Sequence, residues 1–347
     1  MKLIKNIFEN IHYKNNLPQN ILLKDKWLFE THEHTFLHEV NLYEGHQVTF
    51  WPEHILINKR RIWRKELTNH YIASREYVIR RNIKSLLRKT VRLKGKYIIL
   101  TDDWSWSYFH WTADALQRAF LLRNYFKDYR VLIPAHFKQY SYIMQSLQML
   151  DAEIVFINEN ENLVIEELLF ASPLGSSGLF RHDFIKELSY FFRNHQLVSA
   201  LTIESPEKIY ISRGKASYRK ILNEEPLIEV LKLKGFTILY AEQYDYLSQI
   251  KYFSNCKYLV SLHGGGLTNE LYLPPTASVL EIRHPKDHLN NCYYLLATAL
   301  SIPYYYFLAD TDNDDTHAAD MTVDLENFEA TLFDFLNVPI EVDAFKP

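Results

Sequence analysis

From Lys96 onward, short apolar segments alternate with segments of helical length, and this alternation limits the possible folds more than any other feature of the 347-residue chain. Strands that alternate with helices predict a parallel sheet covered on both faces. In a first series we predict strands at 96–101, 130–134, 154–158 and 163–170, and helices at 108–126, 139–150 and 181–195. After a linker at 197–205, a second series predicts strands at 208–212, 236–241, 258–262, 278–282 and 303–308, and helices at 224–234, 247–254 and 292–300.

The two series predict an α/β fold with two facing, Rossmann-like, doubly wound domains at 91–200 and 206–310. Ligands of such sheets bind at the carboxyl ends of the strands, which places the expected cleft between the domains. Residues 1–90 are expected to form an N-terminal extension, partly β, packed on the first domain, with an amphipathic segment at 76–89. Residues 311–347 are expected to form an acidic loop and a helix, 324–336, that crosses back to the first domain.

Composition excludes several classes of protein. A net charge of −3 argues against a nucleic-acid binder, whose affinity depends on neutralising phosphates. The two cysteines, Cys256 and Cys292, lack metal-binding spacing, so we expect a reducing, cytoplasmic setting. No apolar run approaches the ~20 residues that span a bilayer. The basic, amphipathic start of the chain predicts an ordinary helix, or one with at most peripheral contact at the inner membrane face.

A glycine turn lies in the segment Lys257–Arg283, which predicts a strand, three glycines, a short helix from about Leu267 and a second strand. Glycines let backbone N–H groups approach a ligand, and a helix N-terminus supplies unpaired donors and partial positive charge. The turn therefore predicts an anion site. An esterase oxyanion hole uses a similar HGGG string, but this chain lacks the G-x-S-x-G that esterases need. The dinucleotide fingerprint and the P-loop are absent too.

Four cations follow the first strand of the predicted second domain: Arg213, Lys215, Arg219 and Lys220. At the carboxyl end of a strand they are expected to face the cleft. Arginine offers a planar fork that matches phosphate oxygens, and lysine adds a point charge. The alternative is a solvated basic loop. Asn223, just beyond, is predicted to cap the next helix.

In the first domain, His110 and Asp114 are spaced i,i+4 on a predicted helix, so they share one face, with Arg118 on the next turn. A carboxylate or imidazole there can deprotonate an acceptor hydroxyl as it attacks an anomeric carbon. A structural role for either residue is the alternative.

Other acidic residues and histidines do not predict a metal site. Asp102 and Asp103 are adjacent and are interpreted as a strand-end loop. The aspartates at 310–315 lack the glycine and distal glutamate of a calcium loop, so we expect a solvated loop. His32, His34 and His38 match no standard ligand spacing.

The stretches YFHWTADALQR, ISRGKASYRKILNEE and VSLHGGGLTNELYLPPTASVLEI together resemble glycosyltransferase family 61 over about residues 96–310. The resemblance implies an inverting enzyme of the two-Rossmann GT-B type, related to capsule-type glycan transferases. Gln117 stands where that family usually has proline, and Gly265 where it more often has alanine.

The resemblance implies Asp114 as the catalytic base, with His110 assisting it. The expected donor-binding residues are Arg213, Lys215, Arg219, His263, Gly264, Gly265, Gly266 and Leu267, and Glu281 is either a ribose ligand or a buried structural carboxylate. We expect a UDP-sugar donor, no cofactor, and a glycan or lipid-linked glycan acceptor in bacterial surface polysaccharide synthesis. The alternatives are a non-catalytic binding protein with this fold and a sugar-phosphate hydrolase or phosphorylase.

Overall fold

The computed structural model describes residues 1–52, 55–59, 61–63 and 87–337. The chain divides into two compact units, the first formed by Met1–Ile11 and Phe36–Ser177 and the second by His12–Thr35 and Gly178–Pro347. Most of the predicted amphipathic segment at 76–89 and the last ten residues of the predicted tail lie outside the described residues.

A mixed sheet, eight-stranded among the described residues, forms the first unit in the order β6-β5-β4-β10-β7-β8-β9, with β1 paired to β4. Strands β10, β7, β8 and β9 are parallel, as predicted, whereas β4 joins them antiparallel. Strands β2 and β3 pair separately. The strands are β1 Lys2–Phe8, β2 Ile11–Lys14, β3 His34–Leu37, β4 Val40–Trp51, β5 Ile55–Asn58, β6 Arg61–Trp63, β7 Lys89–Ile99, β8 Arg130–Pro134, β9 Ile154–Ile157 and β10 Glu161–Ala171.

The N-terminal residues differ from the expectation of an extension packed on the first domain. Strands β1, β4, β5 and β6 belong to the same sheet as the parallel strands, and Phe50, Ile99 and Ile165 share one core. The expected N-terminal helix is wrong, because the start of the chain pairs its backbone with β4 from Lys2 to Phe8. Residues 12–35 belong to the second unit.

Two main helices complete the first unit, α1 (108–122) and α2 (Ser141–Met149). Ser107 caps α1 by accepting a hydrogen bond from the N–H of His110 at 3.4 Å. Helix α1 widens to a π-helical turn at Trp111–Ala115, a feature that is frequent at functional sites.

A five-stranded parallel sheet in the order β12-β11-β13-β14-β15 forms the second unit. The sheet is parallel throughout, as predicted, and the strand order reverses between β11 and β13. A ribbon of β16 and β17 follows. The strands are β11 Lys208–Ile211, β12 Thr237–Leu239, β13 Tyr258–Leu262, β14 Ser278–Arg283, β15 Tyr304–Leu308, β16 Asp310–Thr311 and β17 Met321–Thr322.

The helices of the second unit pack on its sheet or on one another. They are α3 His182–Arg193, α4 Gln196–Ser199, α5 Glu224–Leu233, α6 Tyr246–Phe253, α7 Cys292–Leu300 and α8 Leu325–Asn337, with a 3-10 helix at Gly265–Tyr272. Helix α8 does not cross back to the first unit, because its apolar residues Phe328, Leu332 and Phe335 are buried in the core of the second. Helix α3 also belongs here, since Phe192 meets the ring of Tyr246 at 6.4 Å, so the unit begins at 178 rather than after 205.

The segment 12–35 completes the free edge of β15. Gln19 donates its N–H to the carbonyl of Tyr304 at 2.9 Å, and Asn20 exchanges side-chain hydrogen bonds with the backbone of Tyr306. Within the described residues this segment therefore takes the place of a sixth strand.

Candidate active site

In the first unit, α1 presents His110 and Asp114 on one face, as their spacing predicts. His110 Nδ1 lies 2.9 Å from Asp114 Oδ2, and Ser177 donates its hydroxyl to the same oxygen at 2.8 Å. The Asp114 side chain is 2% exposed and that of His110 is 22% exposed. The carboxylate is thus held in place while an edge of the imidazole reaches solvent. Ser177 lies 63 residues from Asp114, so no local spacing could have identified it.

Arg118 supplies positive charge on the buried side of this pair. Its Nη2 lies 3.6 Å from Asp102 Oδ2, and both side chains are 1% exposed. Burial lowers the pKa of Arg118, and the charges of Asp102 and Asp114 oppose that shift. Arg118 thus places a buried positive charge within electrostatic reach of the Asp114 carboxylate.

Asp102 builds the loop after β7. Its Oδ1 accepts hydrogen bonds from the N–H of Trp104 at 3.1 Å and the hydroxyl of Ser105 at 2.8 Å. The strand-end role that the sequence predicts for Asp102 is therefore what the structure shows.

In the second unit, the glycine turn follows β13 at the point where the strand order reverses. A Cβ on Gly264 would lie 2.1 Å from Nη1 of Arg213, and one on Gly266 would lie 2.9 Å from a side-chain carbon of Ile211. A Cβ on Gly265 would meet nothing within 4 Å. Gly266 thus allows close approach to Ile211, the last residue of β11, and Gly264 to Arg213 just after it, whereas Gly265 tolerates the alanine that is common in the resembling family.

His263, immediately before the turn, is enclosed. Its Nδ1 bonds Glu281, its Nε2 lies 2.9 Å from the amide nitrogen of Asn290, and its ring meets Tyr293 edge-on at 5.0 Å. The second oxygen of Glu281 accepts from the hydroxyl of Tyr304. Burial acts to raise the pKa of Glu281, but the charge and hydrogen bond of His263 outweigh it, so the pKa is lowered.

Glu281 therefore positions His263 and is not placed to bind a ribose. Its side chain is 1% exposed, and each of its oxygens already has a partner inside the protein. Of the two interpretations that the sequence left open, the structure favours the buried carboxylate.

Among the predicted cations after β11, Arg213 is held by the backbone of its own loop, whereas Lys215 is exposed. Arg213 donates to the carbonyls of Arg219 at 3.0 Å and Tyr218 at 3.2 Å, which holds its Nη1 against Gly264. Burial lowers the pKa of Arg213, and the nearby charge of Arg219 lowers it further. Two cations held this close are stabilised by an anion between or beside them.

The other cations are arranged differently. Arg219 has φ +56°, and its Nε is buried without a hydrogen-bond partner among the described residues. Lys215 is exposed and lies 5.0 Å above the ring of Tyr240. The structure thus brings Arg213, Arg219, His263 and Gly264 to one edge of the sheet and leaves Lys215 at its margin.

Glu224 shapes this loop, although its place in the sequence indicates only the start of a helix. Its Oε1 accepts from the hydroxyls of Tyr210 and Ser212, both at 2.8 Å, and from the N–H of Arg213 at 3.3 Å. Asn223 occupies the N-cap position but makes no capping hydrogen bond, since its side chain bonds the backbone of Val323 instead.

Glu270 is a second carboxyl group that the sequence did not single out. It lies in the 3-10 helix after the turn, is fully buried, and its oxygens have no hydrogen-bond partner within the described ranges. Burial and then the charge of Glu281 raise the pKa of Glu270 well above its ordinary value. Burial thus favours the neutral form of this carboxylic acid.

No group of three or more possible ligands converges to hold a metal ion in the part of the chain that the structure describes. In the acidic loop, Asp314 pairs with Lys286 at 2.6 Å, and Asp312 and Asp315 accept from nearby backbone N–H groups. The three N-terminal histidines have separate partners: Asn291 for His32, the His12 ring for His34 and the Phe36 ring for His38. Within the described ranges, every helix is too short or too polar to cross a membrane.

Comparison with known proteins places these residues in a known context. The family model of glycosyltransferase 61 matches residues 108–280, which include every predicted site residue except Glu281. A curated relative is the EGF domain-specific O-linked N-acetylglucosamine transferase of Pan troglodytes, 29% identical over 226 residues, covering 60% of this chain and 37% of the relative.

The same enzyme shows 31% identity over 151 residues in Mus musculus, covering 40% of this chain and 27% of the relative. In Drosophila melanogaster the identity is 33% over 98 residues, which cover 27% of this chain and 18% of the relative. The chain thus spans little more than a third of the length of these relatives at most.

Proposed function

This chain belongs to glycosyltransferase family 61, and from that membership we propose that it transfers a sugar from a nucleotide diphosphate donor to a hydroxyl of a glycan acceptor. A UDP-sugar is the proposed donor, and inversion at the anomeric carbon, metal independence and the two-domain GT-B arrangement are parts of the same proposal. The acceptor is a glycan or lipid-linked glycan of a bacterial surface polysaccharide, reached from the cytoplasm.

One observation carries the proposal: a glycine turn at the reversal of strand order, with the Arg213 guanidinium packed against Gly264. Ligands of doubly wound sheets bind at this position. The first N–H groups of the 3-10 helix at Gly265–Tyr272 have no acceptor within the helix, and two arginines lie beside them. A diphosphate satisfies both the donors and the charge.

In the proposed reaction, the carboxylate of Asp114 takes the proton of the acceptor hydroxyl, and His110 holds that carboxylate in orientation. The hydroxyl oxygen bonds the anomeric carbon, and the bond from that carbon to the diphosphate breaks with its electron pair on the phosphate oxygen. Arg213, Arg219 and the helix N-terminus stabilise the negative charge that grows on the diphosphate.

A panel of nucleotide sugars tests the proposal by release of the free nucleotide in the presence of mixed glycoside acceptors. UDP-GlcNAc belongs in the panel because the curated relatives are N-acetylglucosamine transferases. We expect release from one UDP-sugar, dependent on an acceptor and unaffected by EDTA. Arg213→Ala is expected to weaken UDP binding, and Lys232→Ala, an exposed lysine on α5, is the matched control.

Each rival function predicts a different result. Donor binding without any turnover across the panel would indicate a non-catalytic binding protein. Turnover of a sugar phosphate without nucleotide would indicate a hydrolase or phosphorylase. Activity lost in EDTA and restored by Mn²⁺ would contradict metal independence.

A further inference from the structure

Two indole rings stand exposed in the loop between β7 and α1. Trp104 is 49% exposed and Trp106 is 47% exposed, although tryptophan is a large side chain that is highly buried on average. They are separated by a single residue and lie just before the helix that carries His110 and Asp114.

The loop that presents the indoles is firmly built. Asp102, itself 1% exposed, accepts from the Trp104 N–H, and its own N–H donates to Ser105 Oγ at 2.9 Å. The Ser107 N–H donates to the Trp104 carbonyl at 3.0 Å, and the Tyr142 hydroxyl donates to the Trp106 carbonyl. The backbone that carries the two rings is thus held in place, which lowers the entropy that the loop loses when a ligand binds.

Trp104 lies beside the candidate base. The rings of Trp104 and His110 have centroids 5.7 Å apart at an interplanar angle of 55°, and His110 in turn bonds Asp114. A ligand ring stacked on Trp104 therefore lies next to the pair that is proposed to take a proton.

We propose that Trp104 and Trp106 form the binding platform for a pyranose ring of the acceptor glycan. A pyranose has one face of C–H groups that packs on an indole, and a rim of hydroxyls that reach neighbouring polar groups. This inference rests on the proposed function, because the hydroxyl that Asp114 deprotonates belongs to the acceptor. The proposed diphosphate site, by contrast, is built entirely from residues of the second unit.

The chain offers a matched control in Trp27. This residue is 44% exposed and also meets a histidine ring, that of His288, at 5.5 Å and 47°. It belongs to the second unit, and no carboxylate is bonded to its histidine among the described contacts. Trp27→Ala therefore removes an exposed indole of the same kind without touching the proposed platform.

Saturation-transfer NMR tests the platform with methyl β-glycosides of glucose, galactose and N-acetylglucosamine as probes and sorbitol as an open-chain control. We expect transfer to the ring C–H protons of at least one glycoside and none to sorbitol. Trp104→Ala and Trp106→Ala should each weaken binding about tenfold, Trp104→Phe should retain part of it, and Trp27→Ala should leave it unchanged.

The proposal is overturned if no glycoside contacts the wild-type protein, if the Trp104 and Trp106 variants bind as the wild type does, or if Trp27→Ala weakens binding equally. Thermal melting and UDP titration of the same variants distinguish a failure of the platform from a failure of the proposed transferase function. Normal UDP binding with no effect of the indoles overturns the platform and leaves the proposed transferase standing. If the Trp104 and Trp106 variants lose glycoside binding but the wild-type protein turns over no nucleotide sugar, the platform is supported and the proposed transferase activity is refuted.

Discussion

Each unit of the molecule pairs a histidine with a carboxylate through Nδ1, yet the two pairs have different surroundings. The His110 side chain is 22% exposed, whereas that of His263 is 5% exposed. The carboxylate of the first pair is held by Ser177 and faces buried Arg118, and that of the second is held by Tyr304.

The difference in exposure and partners indicates different roles for the two histidine–carboxylate pairs. An imidazole with a solvent-accessible edge and a fixed carboxylate suits proton transfer to and from a bound hydroxyl. An imidazole enclosed between a carboxylate and an amide keeps one ring orientation, which suits the binding of a ligand. The first pair is therefore our candidate for the chemistry and the second for holding the donor.

The largest expected effect tests the first pair. Asp114→Asn keeps the shape of the side chain but removes the base, so turnover is expected to fall by about 10²–10⁴-fold. UDP affinity, measured by titration calorimetry, should stay within the error of the wild type. Full activity in this variant would refute the assignment of Asp114 as the base.

The second pair is expected to matter most for stability. Glu281→Ala leaves His263 and the buried Arg283 without their shared carboxylate, and breaking a buried ionic contact costs about 3–5 kcal/mol. Urea unfolding measures this change. Ser177→Ala, which removes the hydroxyl that bonds Asp114 and lies 3.2 Å from His110 Nδ1, is the comparison, with an expected cost of about 1 kcal/mol. Equal costs for the two variants would remove the distinction that we draw between the pairs.

Two variants of the glycine turn test donor binding. Gly264→Ala forces the Arg213 guanidinium away from the turn, and we expect UDP binding to weaken about tenfold through the loss of a charged hydrogen bond. Gly265→Ala is the control, because its added methyl group meets nothing within 4 Å. If both variants bind UDP equally well, Arg213 does not contact the ligand.

The smallest effect concerns pH. The pKa of Glu270 is raised in the folded protein, so its contribution to stability is full below its unfolded pKa of about 4.3 and is lost as pH rises through the folded value. The wild-type free energy of unfolding should therefore fall with rising pH, by up to about 1.4 kcal/mol per pH unit from this one group.

Glu270→Gln should flatten that slope, which urea unfolding at several pH values above 4.5 would show. The pKa of Glu281 is lowered, so its contribution is present above its unfolded pKa and is lost as pH falls through the folded value. The two glutamates thus act in opposite directions and in separate pH ranges. Identical slopes for wild type and Glu270→Gln would show that Glu270 does not titrate with folding.

Much of the fold could be predicted from local pattern. The bounds of β8, β13 and α7 match the predicted ones. For the two strands the reason is that buried parallel strands are short, continuous apolar runs with clear turn signals on both sides. The i,i+4 relation of His110 and Asp114 was predictable for a similar reason, since it depends only on helical geometry.

Features that depend on contacts between residues far apart in the sequence could not be predicted. Ser177 reaches Asp114 from 63 residues away, and its own neighbours in sequence carry no sign of this. Glu270 looks like a surface residue in a short helix, and only the packing of α3, α6 and α7 around that helix buries it. The assignment of 12–35 to the second unit rests on hydrogen bonds to β15 that leave no periodic signal in either segment.

The coverage of β15 by the segment 12–35 also sets an order of events during synthesis. Asn20 emerges 286 residues before its partner Tyr306, so the segment 12–35 has no strand to pair with until nearly the whole described chain has left the ribosome. Closing so long a loop makes this step a late one in folding. A fragment that begins at Gly178 would keep the edge of β15 exposed, and we expect it to aggregate through the unpaired backbone of that strand.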